Sequence, residues 1–514
     1  MSISFLPRWR GRLAARPRAP VRGGLSWLLM LPFALVALLL GAVAALDSPV
    51  LLTLLAGPIL VILLFFLVKA EGLLWSLFAM TFLVQGSLLY FLNLRQATWV
   101  AIGMAVLFLL RIMLDLALRR PRTAAPAAPP WARSWVMPAL LVYLCCYMLS
   151  VVANRPGAAQ LIASIKSVWP MFGVLLALYW VRWTPEQLGK LWRLLVWITV
   201  LQLPIVIYQH FFVAGRRVLG FDSVVGTFGG SMVAGGLSSV MVVFVIVTLA
   251  YVLASWHHGM LSRKKLLLFG ALALLVILLG EVKAAFIWLP LSIMFVLRQR
   301  MLKNVFNLIG YSMLALLLLA LIYYFYNLMY WNEHMSQLNS VSDKLNEGGG
   351  YFFDVNNINY VTGEISRGAS LALWLRDPVA GLREWLIGFG PGASKTGALG
   401  MGVIAKRYYP LHIDATGLAV LLWEVGVCGA LAYLAMLGAG IAAAWRFLAA
   451  RVGSARQKAG METALVTLLL SLTLLVYNRT MLDEPTMQLL LLFCLGYVVQ
   501  TVRFGPEAPA ADVK

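Results

Sequence analysis

Apolar residues run along this chain in blocks of about twenty, separated by short polar interruptions, over most of its length. Lipid offers no partner to a backbone N–H or C=O, so a block that long predicts a helix, which at ~1.5 Å per residue crosses ~30 Å of hydrocarbon. Fourteen blocks are read, near residues 25–46, 49–68, 72–91, 98–118, 135–153, 168–182, 190–213, 231–255, 266–280, 285–299, 305–327, 412–440, 461–478 and 485–502. The blocks at 266–280 and 285–299 are short and share a tight reversal, so they fit two spans or one broken hairpin, and the count is twelve to fourteen. The fold class expected is all-α, a polytopic membrane helical bundle.

One stretch departs from the pattern. About eighty residues, from Leu328 to Leu411, are polar and glycine-rich. Loops of that length without a role are uncommon, which makes this the expected active-site loop. The chain then divides into a basic arm (1–24), an N-terminal bundle (25–327), the loop (328–411), C-terminal helices (412–503) and a tail (504–514). Inside the loop, Asp377-Pro378 has the form of an N-cap followed by proline at the first helical position, predicting a helix over Val379 to Ile387 that ends at Gly388. Trp374, Trp385 and Leu386 are placed at the membrane surface, where tryptophan is enriched. The aromatic, asparagine-rich stretch from Asn346 to Tyr360 suits sugar contact or a plain flexible loop equally.

Composition agrees with a membrane protein: 62% hydrophobic, 12% charged and a mean hydropathy of +0.87 exclude a soluble core with an ordinary surface. Orientation follows from the Lys and Arg residues, which are retained on the cytoplasmic side. With the N-terminus inside, 26 of the 41 fall inside and 14 outside, Arg111 lying within a span. Seven of the 14 belong to the long loop, which the rule does not cover, so the comparison is 26 against 7. Both termini are then cytoplasmic and the loop faces out. A reporter fused after Gly350 is expected to read as non-cytoplasmic and one fused after Pro126 as cytoplasmic; the reverse at either site overturns the orientation.

The net charge of +21 is therefore mostly topology, with Arg8, Arg10, Arg12, Arg16, Arg18 and Arg22 forming an arm suited to anionic lipid. Basic residues dispersed among loops do not make a nucleic-acid surface. The first block is too long for a cleaved signal and is taken as an anchor. Cys145, Cys146, Cys428 and Cys494 lie in apolar blocks without metal spacing and behave as small hydrophobes.

The candidate chemistry is cationic. Arg216, Arg217, Lys283, Arg367, Arg376, Arg383, Lys395 and Arg479 all fall on the outward side. Each alone reads as a snorkelling flank or solvated residue, but together they suit a phosphate or diphosphate held at the membrane, because guanidinium groups bind such oxygens bidentately. His412, at the mouth of the next block, is the candidate general base; the competing reading is an interfacial histidine capping the following helix. Of the other histidines, His257 and His258 fall on the cytoplasmic side and His210 inside a span. Asp483-Glu484 with Asn478-Arg479 reads as a turn carrying a salt bridge to Arg479, not as a metal or acid site.

Four stretches together resemble the O-antigen polymerase and ligase superfamily of membrane glycosyltransferases. They are Arg217-Val218-Leu219-Gly220 with Val225-Gly226-Thr227-Phe228-Gly229-Gly230; Gly280-Glu281-Val282-Lys283-Ala284-Ala285-Phe286; Leu386-Ile387-Gly388-Phe389-Gly390-Pro391-Gly392; and His412-Ile413-Asp414 running to Glu424-Val425-Gly426. Two positions depart from the family pattern: Lys283 stands where an arginine is usual, and Asp414 follows His412 at one residue's remove where an asparagine directly follows. The resemblance implies a GT-C-like enzyme of a bacterial inner membrane with its large loop periplasmic. It implies an undecaprenyl-diphosphate-linked glycan as donor and a glycan or lipid acceptor, in contact with membrane lipid and a chain-length regulator. His412 would be catalytic, the cations would hold the diphosphate, and neither metal nor cofactor is implied. A polymerase of exopolysaccharide or O-antigen repeat units comes first; a ligase to lipid A core or another acceptor is the alternative. A transporter of lipid-linked sugars, of another class, would instead show charges within the spans and symmetric halves.

Overall fold

The structure is a computed structural model describing residues 67–94, 96–118, 134–213, 224–231, 235–280, 282–326, 349–350, 352–397 and 400–505. The chain divides into two compact units, 1–67 and 68–514, and the architecture below is that of the second. The basic arm, the first expected block and nearly all of the second, Arg216, Arg217, Glu281 and loop residues 328–348 lie outside the described residues.

The described chain is almost wholly helical. In chain order the helices are α1 (Ala70–Leu92), α2 (Ala97–Leu118), α3 (Val136–Asn154), α4 (Ala158–Val168), α5 (Phe172–Trp180), α6 (Pro185–Val213), α7 (Ser238–His257), α8 (Arg263–Leu279), α9 (Ala285–Met301) and α10 (Val305–Tyr326). After the loop come α11 (Arg367–Leu375), α12 (Leu382–Ile387), α13 (Val403–Arg407), α14 (Gly417–Ala449), α15 (Ala455–Tyr477), α16 (Thr480–Asp483) and α17 (Pro485–Phe504). Among the described residues, nine helices are long and apolar enough to cross a bilayer, so the all-α membrane class holds.

Two expected spans differ in detail, and the choice left open at 266–299 is resolved. The block at 168–182 is not one helix: α5 has nine residues, ~14 Å, too short to cross alone, and it meets α4 at a 52° bend. Pro170 sits at that bend, where it can neither donate a backbone hydrogen bond nor continue the helix before it. The block expected from 412 becomes helical only at Gly417, where the Thr416 hydroxyl accepts from Ala419 N–H as N-cap, and it runs on to Ala449. The helices α8 and α9 are two separate 17-residue helices, each ~26 Å long, and both pack on α7.

Burial orders the bundle. The sequence of α7, from Val240 to Ala254, is apolar on every side, and a helix of that kind must be enclosed on every side. It is: 94% of its most apolar stretch is buried, against 6% for that of α10. The indole of Trp192 on α6 stacks on Tyr251 of α7 at 4.9 Å, and Phe493 of α17 packs against the same indole at 5.0 Å. Between α6 and α7 the Thr199 and Thr248 hydroxyls share a 2.7 Å hydrogen bond, satisfying both inside the apolar core.

A buried irregular segment marks one end of the bundle. Residues 224–229 turn inward between α6 and α7, and their backbone groups are met by two glutamines on α6. Gln209 Oε1 accepts from Val225 N–H (2.9 Å) and Gly226 N–H (2.7 Å), while its Nε2 donates to Gly226 C=O (2.9 Å). Gln202 Oε1 accepts from Thr227 N–H at 2.8 Å. Non-helical backbone is tolerated at such depth only when protein groups satisfy it, and these side chains do so. The same end gathers the C-terminal ends of α3, α6 and α15 and the N-terminal ends of α7, α9, α14 and α17, joined by bonds such as Asn478 Nδ2 to Ser239 Oγ (3.0 Å) and Trp288 Nε1 to Thr473 Oγ1 (3.0 Å).

Residues 352–397 and 400–416 fold onto that end as a small loop domain. Ile365, Ala369, Trp374, Ala393, Ile404, Leu411 and Ile413 form a core shared with Ala419 and Trp423 of α14. Trp374 is therefore interior, packed on Trp385 at 5.4 Å, and not at a membrane surface. The helix expected over 379–387 is shorter. Asp377 does accept from Val379 N–H (2.8 Å) and Ala380 N–H (3.0 Å), but that bonded turn ends at Gly381. There Glu384 supplies a new N-terminal bond, and α12 runs only to Ile387 before Gly388 ends it.

Candidate active site

The site is organised by a break in α14. At Gly426 the backbone leaves the helix (φ 65°, ψ −171°), in a region essentially restricted to glycine. The break frees the carbonyls of the preceding turn. Phe389 N–H of the loop domain donates to Trp423 C=O at 2.8 Å, and Ser150 Oγ of α3 donates to Glu424 C=O at 2.8 Å. Gly388, with φ 74°, lies so close to this turn that a Cβ there would stand 2.5 Å from the Glu424 carbonyl carbon. Asn154 Nδ2 donates to Gly388 C=O at 3.1 Å, and Gln160 Nε2 to Pro391 C=O at 3.0 Å. The glycine hinge of the loop and the Glu424-Val425-Gly426 stretch are thus two halves of one backbone contact.

Glu424 is 3% exposed. An ionisable group at such depth needs partners, and the loop domain brings one: Ser394 Oγ donates to Oε1 at 2.9 Å, with Ser164 Oγ of α4 3.4 Å from Oε2. Beside it a chain of alternating charges crosses the end of the bundle. Lys395 Nζ lies 2.5 Å from Asp483 Oδ1 and 2.5 Å from Ser167 Oγ. Arg479 Nε lies 3.1 Å from Asp483 Oδ2, and its Nη1 bonds Asp414 Oδ2. The expected Arg479–Asp483 bridge is present, and Asp483 also has Lys395, a partner 88 residues away in sequence.

The electrostatics separate the two adjacent acids. Burial raises the Asp483 pKa, but Lys395 and Arg479 outweigh it and hold the carboxyl below its ordinary value of 3.8. Glu484 has the opposite balance: burial first, then the charge of Asp483, pushes it up to about 7 from 4.5 despite the nearby cations. Because the fold binds the Glu484 proton more tightly than the unfolded chain does, its contribution to stability is full below pH ~4.5 and is lost as pH rises toward ~7. The Asp483 contribution runs the other way, present above its unfolded pKa and lost in acid. Glu484→Gln is expected to flatten the thermal-melt profile between pH 5 and 8, on the order of 2 kcal/mol in favour of the variant at the upper end. A profile parallel to the wild type would show that Glu484 ionises normally.

The sequence-derived cations fall in different places. Arg367, at the first turn of α11, is half-buried, and its Nε donates to Tyr477 C=O at 2.8 Å, at the C-terminal end of α15. Two residues further on is Arg479, with 39% of its side chain exposed. Lys395 is deeper, at 12%. Lys283 is exposed just before α9, whose Trp288 packs on Tyr477 at 4.9 Å, so it belongs to the same end. Arg376 is exposed at the C-terminal end of α11, and Arg383, 59% exposed, pairs with its neighbour Glu384 at 2.9 Å. Arg407 pairs with the buried Asp377 at 3.0 Å, a loop-domain contact.

His412 is exposed, but its backbone is fixed. Leu411 and Ile413 on either side are buried in the loop-domain core, His412 N–H donates to Gly363 C=O at 2.8 Å, and Ser370 Oγ donates to Ile413 C=O at 2.8 Å. Asp414, two residues on, is 2% exposed and bound to Arg479. An exposed histidine on a fixed segment therefore stands two residues from a member of the ion chain. Glu424, Ser394, Ser164 and Ser167 were not singled out as site residues; the available signal was a glutamate inside an apolar block, which is rare without a role. No protein-family model matches the chain, and a comparison with the curated proteins finds no match.

Proposed function

We propose that this chain is an integral membrane glycosyltransferase, GT-C-like and of the O-antigen polymerase and ligase type, acting on a polyprenyl-diphosphate-linked glycan at the loop-domain end. Joining of repeat units into a polymer is its reaction. The observation that carries the reading is His412, exposed on a fixed segment two residues before Asp414, which binds Arg479, at the end of the bundle that also holds Arg367 and Lys283. An exposed imidazole and guanidinium groups at one end of the bundle suit transfer from a diphosphate.

In the step proposed, the His412 imidazole takes the proton of an acceptor sugar hydroxyl as its oxygen attacks the anomeric carbon of the donor. A new glycosidic C–O bond forms with inversion, the bond from that carbon to the diphosphate oxygen breaks, and the diphosphate leaves with the electron pair. Arg367 and Arg479 meet the charge that develops on it. Lys395, already bound to Asp483 and Ser167, holds the ion chain in place in this scheme. The bacterial inner membrane, with the loop domain on the periplasmic side and a chain-length regulator as partner, completes the reading.

Glycan profiling of a deletion strain tests it. Loss of high-mass polymer with accumulation of single repeats on their acceptor is the expected result. Long lipid-linked polymer that is never attached would assign the ligase reaction, and an unchanged glycan profile would remove the enzyme reading.

A further inference from the structure

At the end of the bundle away from the loop domain, three side chains converge whose presence the proposed reaction does not explain. His257 closes α7, His258 follows it, and Glu462 lies in the third turn of α15. One ligand atom from each, two imidazole nitrogens and one carboxylate oxygen, lies within 4.8 Å of the others. Glu462 is 1% exposed, yet neither of its oxygens has a hydrogen bond, and the same holds for buried His257 Nδ1 and His258 Nε2. Buried polar atoms without hydrogen bonds on three converging side chains are rare, and an ion is one of the standard resolutions.

The geometry favours a metal over a histidine–glutamate ion pair. His258 Nε2 and Glu462 Oε2 stand 3.3 Å apart, longer than a good charge-assisted hydrogen bond. Two ligands of a tetrahedral ion with bonds of ~2.0–2.1 Å are separated by about 3.3–3.4 Å. The charge of Arg298 acts on Glu462, but neither nearby cation hydrogen-bonds it. Arg298 Nη1 donates to Phe295 C=O at 2.5 Å and its guanidinium lies over Trp445. Arg300 lies over Trp256 at 4.3 Å, with Nη2 3.4 Å from His257 C=O. Both guanidinium groups are thus engaged by carbonyls and indole faces.

We propose that His257, His258 and Glu462 form a binding site for a divalent transition-metal ion, zinc by preference. Two imidazoles and one carboxylate are a borderline ligand set that suits zinc better than the oxygen-seeking magnesium or calcium. Three protein ligands leave a fourth position for water, and the half-buried imidazoles leave a path to it. The ion would clip the last turn of α7 to α15 and neutralise the buried carboxylate. This site is independent of the glycosyl-transfer reading, since it uses none of the residues placed in that reaction.

The test uses the untagged full-length protein in detergent, stripped with a chelator and dialysed against Zn²⁺ alone. One zinc per chain is expected, and titration with Co²⁺ is expected to give the intense visible d–d bands of a tetrahedral site. Glu462→Gln and His258→Ala should each weaken zinc binding about 100-fold or more, since even outer partners of ligands are worth 10–100-fold. Zinc should raise the melting temperature of the wild type and not that of Glu462→Gln. Wild-type protein that retains no stoichiometric zinc and gives no tetrahedral cobalt spectrum overturns the site. So does undiminished zinc binding in a folded Glu462→Gln variant.

Discussion

His412→Ala is expected to insert, fold and bind donor normally while its rate of glycosyl transfer falls by about 10²–10⁴-fold, the usual loss on removing a general base. Folding should be spared because the side chain is exposed, while the segment is held by Leu411, Ile413 and backbone bonds that the substitution leaves intact. Donor binding should be spared because the proposed diphosphate contacts belong to Arg367 and Arg479. The loss should therefore fall on kcat with little change in KM. Single-turnover transfer with purified protein and a lipid-diphosphate glycan measures it, with His412→Gln as a second variant that keeps a polar group without the basic nitrogen. Near-normal turnover in both would move the base elsewhere, and Glu484, whose pKa is pushed up to about 7, would be the first group to test.

Gly426→Ala is expected to have the largest effect on stability, a loss above about 3 kcal/mol. Two costs add. Its dihedral angles belong to a region that L-residues rarely occupy, worth ~1–3 kcal/mol. A Cβ would also meet the Leu386 carbonyl carbon at 2.4 Å and Gly388 N at 2.5 Å, backbone atoms that cannot rotate away. Relief requires the loop domain to lift from α14, which would break the Phe389–Trp423 bond and withdraw Ser394 from buried Glu424. The readouts are the melting temperature and the rate of proteolysis between residues 352 and 411. Gly438→Ala on the same helix is the control: it is exposed, has nothing within 4 Å of a new Cβ, and should be neutral or slightly stabilising. Equal protease resistance in the Gly426 variant and this control would show that the glycine contact does not hold the loop domain.

The class of this protein was legible because lipid enforces it locally. An apolar block of about twenty residues must satisfy its own backbone, so each block announces a helix without reference to any other part of the chain. Local logic also found the polar loop, the helix end at Gly388, the apolar block at 231–255 and the Arg479–Asp483 bridge, whose partners are four residues apart. Turn chemistry was harder: the Asp377 bonds were anticipated, but not that they close a separate turn before Glu384 begins α12.

What only the tertiary structure decided is which polar groups meet across the chain. Lys395 and Asp483 are 88 residues apart, Ser164 and Glu424 260, and Asn154 and Gly388 234, and no periodicity relates such positions. In the sequence the outward cations look alike. Folding leaves Arg383 paired with its neighbour in solvent, ties Arg367 to the Tyr477 carbonyl at the end of α15 and buries Lys395 against a carboxylate. Trp374 looked interfacial by composition because the loop's own hydrophobic core is assembled from residues too scattered to show a pattern. Hydrophobic periodicity reports how a segment meets its solvent, lipid or water. The pairing of buried charges is settled instead by desolvation, which acts on whatever groups the packing of distant segments brings within a few ångströms.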